Sequence, residues 1–204
     1  DNYILIYAHT PGMPTRQPFG SKSAKNKENW SRCLSLHGHM MDVLDMDWSP
    51  KGILASASID NKILLWNVTA ALRNSRSSSS VLAPMRSLNG HKSFVKGVAF
   101  DPMGKYLASC GTDNILILWN CDTWSETRRL DEPMRKCTDR AIFRRMDWAP
   151  DGSALAISSA TKASKPVGMV LKREEWTSVA DLVGHNTQPI CTRFCPKVLN
   201  GNDS

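Results

Sequence analysis

GHMMDVLDMDWSPKGILASASIDNKILLW, residues 38–66, decides the fold, because the same ruler returns as GHKSFVKGVAFDPMGKYLASCGTDNILILW at residues 90–119. From His39 nine residues lead to Trp48, then Ser49-Pro50 and Gly52. From His91 nine lead to Phe100, then Asp101-Pro102 and Gly104. Ala55-Ser56 precedes Asp60, which stands six before Trp66, just as Ala108-Ser109 precedes Asp113, six before Trp119. Gly184-His185 follows 94 residues after His91, twice a 47-residue unit, so a hidden copy is expected between them. Arg145-Met146-Asp147-Trp148-Ala149-Pro150-Asp151-Gly152 supplies it, although the rest of this copy lacks both the turn Asp and the closing Trp. His185 leads after nine residues to Phe194-Cys195-Pro196, and Asp1 stands six before Tyr7.

Within a unit, Val43 to Trp48 alternates apolar and polar, Ile53 to Ser58 follows the Pro-x-Gly turn, and Ile63 to Trp66 follows an Asp-Asn turn. Met85 to Leu88 precedes the next Gly-His. These read as short strands. Units of ~40–45 residues with four short strands each define an all-β fold, a β-propeller of which this chain holds about four to five blades, from the seven expected if the family resemblance of its motifs is carried over. The expected division is 1–36 (the end of a blade with a basic loop insertion), 37–88 and 89–130 (blades), 131–183 (a degenerate blade) and 184–204 (the start of the next). Such a fragment leaves sheet edges and an inter-blade face open and is expected to associate when isolated.

The repeated polar residues have a structural use. The Asp accepts from the imidazole, the other ring nitrogen meets a Ser hydroxyl, and that hydroxyl meets the indole N–H, so every buried polar group is satisfied. His39, Ser56, Asp60 and Trp66 are assigned to one network, with Ser58 the alternative hydroxyl, and His91, Ser109, Asp113 and Trp119 to the next. His185, Asp1 and Tyr7 fall at the corresponding places of the incomplete units. These histidines are expected to be structural, with neither a catalytic nor a metal role.

Composition fits a globular chain. Of 204 residues, 41% are hydrophobic and 22% charged, and the formal net charge of +7 suits work beside an anionic partner. No apolar run approaches the ~20 residues of a membrane-spanning helix, so no membrane role is expected and the chain is read as soluble. The six cysteines form no Cys-x-x-Cys pair, and no histidine falls at zinc-finger spacing, so reduced thiols are expected, with no metal and no cofactor. Phosphate-loop, His-Glu-x-x-His and Gly-x-Ser-x-Gly patterns are missing, and Asp45 and Asp47 read as ordinary strand residues. Neither an enzyme nor a small-molecule substrate is expected.

Two insertions interrupt the ruler. Residues 9–29 carry Pro11, Pro14, Pro18 and basic Arg16, Lys22, Lys25 and Lys27, and read as a solvated loop. Residues 74–80 are serine-rich and read as a flexible spacer. The densest basic set, Arg128, Arg129, Arg135, Lys136, Arg140, Arg144 and Arg145, is a candidate interaction surface for phosphate or for acidic protein segments if its side chains converge. It lacks the interleaved aromatics of single-strand binders, which makes DNA contact the weaker reading.

The pattern resembles the WD-repeat family, with Trp66-Asn67 and Trp119-Asn120 where the name-giving Trp-Asp falls. Trp48-Ser49-Pro50, Leu54-Ala55-Ser56, Val95-Lys96-Gly97, Gly104-Lys105-Tyr106, Arg173-Glu174 with Trp176, and Val183-Gly184-His185 are similar to the amino-terminal propeller of the HIRA (histone regulator A) family of histone chaperones. Asn26-Lys27-Glu28-Asn29-Trp30 and Phe143-Arg144-Arg145 are similar instead to the WD-repeat subunit of chromatin assembly factor one, while Lys92 to Tyr106 and Lys172 to Val198 fit the HIRA family better. The resemblance implies a nuclear, non-enzymatic scaffold in histone deposition, with replication-independent nucleosome assembly, transcriptional regulation and a ubinuclein-type subunit among its partners, histones being met directly or indirectly. Replication-coupled assembly, or a WD-repeat adaptor such as a ubiquitin-ligase substrate receptor, are the alternatives.

Overall fold

The computed structural model describes residues 1–9, 29–74, 80–137 and 141–196. In chain order its elements are β1 (Tyr3–His9), β2 (Trp30–His37), β3 (Val43–Trp48), β4 (Leu54–Ser58), β5 (Ile63–Trp66), helix α1 (Val68–Asn74), β6 (Ser80–Leu82), β7 (Arg86–Leu88), β8 (Val95–Phe100), β9 (Tyr106–Gly111), β10 (Leu116–Asn120) and β11 (Glu126–Leu130). A 3-10 turn at Glu132–Met134 leads to β12 (Asp147–Trp148), β13 (Ala154–Lys162), β14 (Lys165–Lys172) and β15 (Ser178–Leu182). The described residues form four sheets, ordered β1-β2-β6, β3-β4-β5-β7, β8-β9-β10-β11 and β12-β13-β14-β15. All pairings are antiparallel except β2 with β6, which run parallel. This is the partial β-propeller that the repeat implies.

Sequence repetition becomes geometric repetition at the turns. Gly52, Gly104 and Gly152 take φ of +75°, +70° and +71°, a left-handed conformation that a side chain would strain. Each closes the same turn: Gly52 N–H donates to Ser49 O at 3.0 Å, Gly104 N–H to Asp101 O at 2.8 Å, and Gly152 N–H to Ala149 O at 2.7 Å. Asn61 (φ 68°) and Asn114 (φ 58°) take the left-handed place in the β4–β5 and β9–β10 turns, whereas Ala163 and Ser164 fill the β13–β14 turn. Asparagine tolerates this region better than other residues with a side chain.

Three apolar layers lie between the four sheets. Leu34 and Leu36 meet Leu54, Leu64 and Trp66; Ala55, Ile63 and Leu65 meet Val98, Phe100, Leu107, Ile117 and Trp119; and Ala108, Leu116 and Leu118 meet Trp148, Leu155, Met169 and Leu171. Successive side chains of a strand point to opposite faces. Ile63 and Leu65 therefore serve one layer while Leu64 and Trp66 serve the next, which is why these strands read as unbroken apolar runs.

Three features depart from the expected outline. Residues 68–74 form α1, whose first turn is capped where Ala70 N–H donates to Asn67 Oδ1 at 3.0 Å. β6, which belongs by sequence to the 37–88 unit, reaches back to pair Leu34, Ser35 and Leu36 of the preceding sheet, because the insertion is long enough to span the gap. Residues 184–196 make no strand of their own; Cys191 bridges in parallel to Arg145 beside β12. The basic insertion and the serine run fall largely outside the described residues, as do Arg16, Lys22, Lys25 and Lys27.

Candidate functional site

The two Gly-His units assemble equivalent hydrogen-bond chains. His39 Nδ1 lies 2.9 Å from Asp60 Oδ2 and its Nε2 lies 2.7 Å from Ser56 Oγ, which accepts the Trp66 indole N–H at 2.9 Å. His91 Nδ1 lies 3.0 Å from Asp113 Oδ2, its Nε2 lies 2.9 Å from Ser109 Oγ, and Trp119 donates to that hydroxyl at 2.9 Å. A neutral ring protonated on Nδ1 satisfies every member: it donates to the carboxylate and accepts the serine proton. Ser58 does other work, donating to Met41 O and accepting the Asp60 N–H, each at 3.1 Å.

Each carboxylate also ties loops together. Asp60 accepts the Met40 and Lys62 N–H groups, and Asp113 accepts those of Lys92 and Ile115. Burial pushes the pKa of Asp60 up, but the His39 bond and the backbone donors outweigh it and hold the carboxyl below its ordinary value. Asp113 behaves alike, its burial offset by His91 and the backbone N–H groups. Both histidine side chains are only 1% exposed, so neither ring is open to a substrate.

The incomplete units build no such chain. His185 is exposed and bonds to no described side chain. The Asp1 carbonyl accepts the Val43 N–H at 3.1 Å, and half-exposed Tyr7 stands opposite Arg32 on the β1–β2 ladder. In the degenerate unit the replacement is concerted. Ladder pairing sets Leu155 opposite Leu171 just as it sets Leu107 opposite Trp119, so Leu171 holds the tryptophan's place and Ile157 that of Ser109. Both are buried. The polar chain has been exchanged for apolar packing, which leaves no hydroxyl or indole to satisfy.

The expected basic surface divides. Arg144 does not reach the surface: it is 1% exposed and donates through Nη1 to Gly111 O at 2.9 Å and through Nη2 to Asn114 Oδ1 at 2.7 Å. Arg129 is held by Glu126 at 2.6 Å, Arg135 by Asp131 at 3.0 Å and Glu132 at 3.3 Å, and Arg145 by Asp45 at 3.5 Å with its guanidinium over Phe143. Arg128 and Lys136 are exposed, and Arg140 lies outside the described residues. These arginines are engaged within the fold because acidic residues recur within one turn or two inter-sheet steps of them.

Sequence reasoning passed over the carboxylates of the innermost strands. Val98 N–H donates to Asp45 Oδ2 at 3.1 Å, Phe100 N–H to Asp47 Oδ2 at 2.6 Å, and Phe194 N–H to Asp147 Oδ2 at 2.7 Å. Each clasps one sheet to the next. Burial holds Asp45 and Asp47 above the usual carboxylate range despite these bonds. The available signal was the Asp-Trp step, Asp47-Trp48 and Asp147-Trp148, each one unit ahead of Phe100 or Phe194. A second link is the pair of Arg173 Nη2 with fully buried Asp101 Oδ2 at 2.7 Å, with the guanidinium 5.2 Å from the Tyr106 ring and 5.6 Å from that of Trp148. Among the described residues no His, Cys, Asp or Glu cluster could hold a metal ion, and no helix is long and apolar enough to cross a membrane.

Four stacked sheets and repeated His–Ser–Asp–Trp chains define a class, and the family model of the WD domain, G-beta repeat, matches residues 30–67 and 82–120. The chain belongs to the WD-repeat family. Within it the similarity is to HIR1 and HIRA proteins: 34% identity over 204 residues, all of this chain, to Protein HIR1 of Mycosarcoma maydis, and 34% over 200 residues, or 98%, to Protein HIR1 of Cryptococcus neoformans. Protein HIRA of Caenorhabditis elegans is 34% identical over 180 residues, 88% of the chain. The chain spans 19%, 21% and 18% of those three proteins, about a fifth of their length.

Proposed function

We propose that this chain is part of the non-enzymatic propeller of a HIRA-like histone chaperone complex, acting in the nucleus in replication-independent nucleosome assembly, chromatin organisation and transcriptional regulation. The observation that carries the reading is the 34% identity to a HIR1 protein over the whole chain. The geometry is consistent with a scaffold, since the repeated histidines are shielded within hydrogen-bond chains and leave their faces to loops and backbone. A ubinuclein-type subunit is the partner this reading implies, with histones reached directly or through that complex. Pull-down of a ubinuclein-type fragment by the full-length protein tests it. Binding is expected; its absence, with the propeller shown to be folded by circular dichroism and cooperative melting, removes the proposal.

A further inference from the structure

The first strands of the second, third and fourth sheets, β3, β8 and β12, face a common cavity of about 240 Å³ lined by Asp45, Asp47, Val98, Ala99, Asp147 and Arg193. The repeat ruler aligns the charges around it. Three residues before Trp48, Phe100 and Trp148 stand Asp45, Gly97 and Arg145; one residue before them stand Asp47, Ala99 and Asp147. The third sheet therefore offers no charge at either level, and nothing larger than a methyl group.

Asp45 uses its two oxygens in different directions. Oδ2 accepts the Val98 N–H of adjacent β8 at 3.1 Å, while Oδ1 lies 3.5 Å from Arg145 Nε in the segment that leads into β12, with the third sheet between them. Gly97 is what lets that segment approach. Arg144 N–H donates to Lys96 O at 3.2 Å, and a Cβ on Gly97 would sit 1.9 Å from Arg144 O. Arg145 is firmly based: its N–H donates to Ile190 O at 2.9 Å, its carbonyl accepts the Thr192 N–H at 3.1 Å, and its guanidinium rests 4.8 Å from the Phe143 ring centroid. Asp47 and Asp147 are committed to the Phe100 and Phe194 N–H groups, and Arg193 donates to Met146 O at 2.9 Å. The side chain of Asp45 is 12% exposed and that of Arg145 43%, so the pair is shielded more than a surface pair yet still within reach of dissolved ions.

We propose that Arg145 is an axial coupling residue: by reaching over Gly97 to Asp45 it ties the fourth sheet directly to the second, so that loosening of one is transmitted to the other without passing through the apolar layers of the third. This tie does not depend on the chaperone assignment. Coupling between two sites is an energy, and a double-mutant cycle reads it. The test is hydrogen exchange of the full-length protein carrying Asp45→Asn, which keeps an oxygen for the Val98 N–H but loses the charge, Arg145→Gln, or both, with folding checked by cooperative melting. Asp45→Asn is expected to speed exchange of the β12–β13 amides about fivefold and Arg145→Gln that of the β3–β4 amides about fivefold, while the β9–β10 amides of the third sheet keep their rates and the double variant exchanges no faster than either single one. Raising salt from about 0.05 M to about 0.5 M is expected to reproduce this pattern in the unmodified protein and to add nothing in the variants, a response that packing alone would not give. Should a variant fail to melt cooperatively, the salt series on the unmodified protein decides. Additive effects in the double variant, faster exchange confined to the substituted residue's own sheet, equal acceleration at β9–β10, or exchange in both sheets indifferent to salt overturns the proposal.

Discussion

Ser56 and Ser109 each serve an imidazole and an indole at once, within 3 Å of both. Removing such a hydroxyl leaves a buried indole N–H without an acceptor, which costs about 1–3 kcal/mol. Ser109→Ala is expected to lose that much in urea unfolding of the full-length protein. Ile157→Ser, at the equivalent place in the degenerate unit, is expected to destabilise too, because the new hydroxyl meets no imidazole. Asp60 and Asp113 contribute to the acid response. Their folded pKa values lie below the unfolded value of about 3.9, so their contribution is full above that value and is lost as pH falls through the folded pKa. Asp45 and Asp47 have raised folded values and the opposite sign: their term favours folding below the unfolded pKa and is lost as pH rises through the folded one. Asp60→Asn with Asp113→Asn is therefore expected to flatten the loss of stability below about pH 4, read from unfolding midpoints in a pH series.

Strands were legible where side-chain alternation and the repeat ruler coincide. Val43–Trp48 and Ile63–Trp66 fall where their sequence places them, since the flanking Pro-x-Gly and Asp-Asn turns fix both ends. Helix α1 was not legible, because it lies in an insertion outside the ruler and only Asn67 marks its start. The carboxylate clasps were hidden for another reason: Asp47 and Phe100 are 53 residues apart, and no local pattern reveals a partner at that distance. Arg144 is the converse case. It reads as part of a basic run, yet its neighbours place it against Gly111 O, inside the sheet stack. Asp47→Ala is expected to speed exchange of the Phe100 amide while the β9–β10 ladder amides keep their protection, as measured by hydrogen exchange. Gly97→Ala is expected to part β8 from the Phe143–Arg145 segment, because its Cβ would sit 1.9 Å from Arg144 O.

Among the described residues the apolar layers join each sheet to its neighbours, so stability is approximately a sum of sheet and junction contributions. The Arg173–Asp101 pair belongs to a junction: it joins the loop after β14 to the β8–β9 turn of the preceding sheet. Breaking a buried pair strands the remaining charge and costs about 3–5 kcal/mol. Arg173→Met is expected to lose about that much in chemical denaturation, and Asp101→Asn in the same chain to restore part of it. Junctions and sheets also differ in how heat acts on them. Apolar contact weakens on cooling, while hydrogen bonding does not share that dependence. With Ile157 and Leu171 in place of a Ser–Trp bond, the β13–β14 sheet holds together by the force that fades in the cold. As temperature drops toward freezing, its amides should lose protection before those of β9–β10, giving this protein a cold-labile sector set beside a cold-tolerant one.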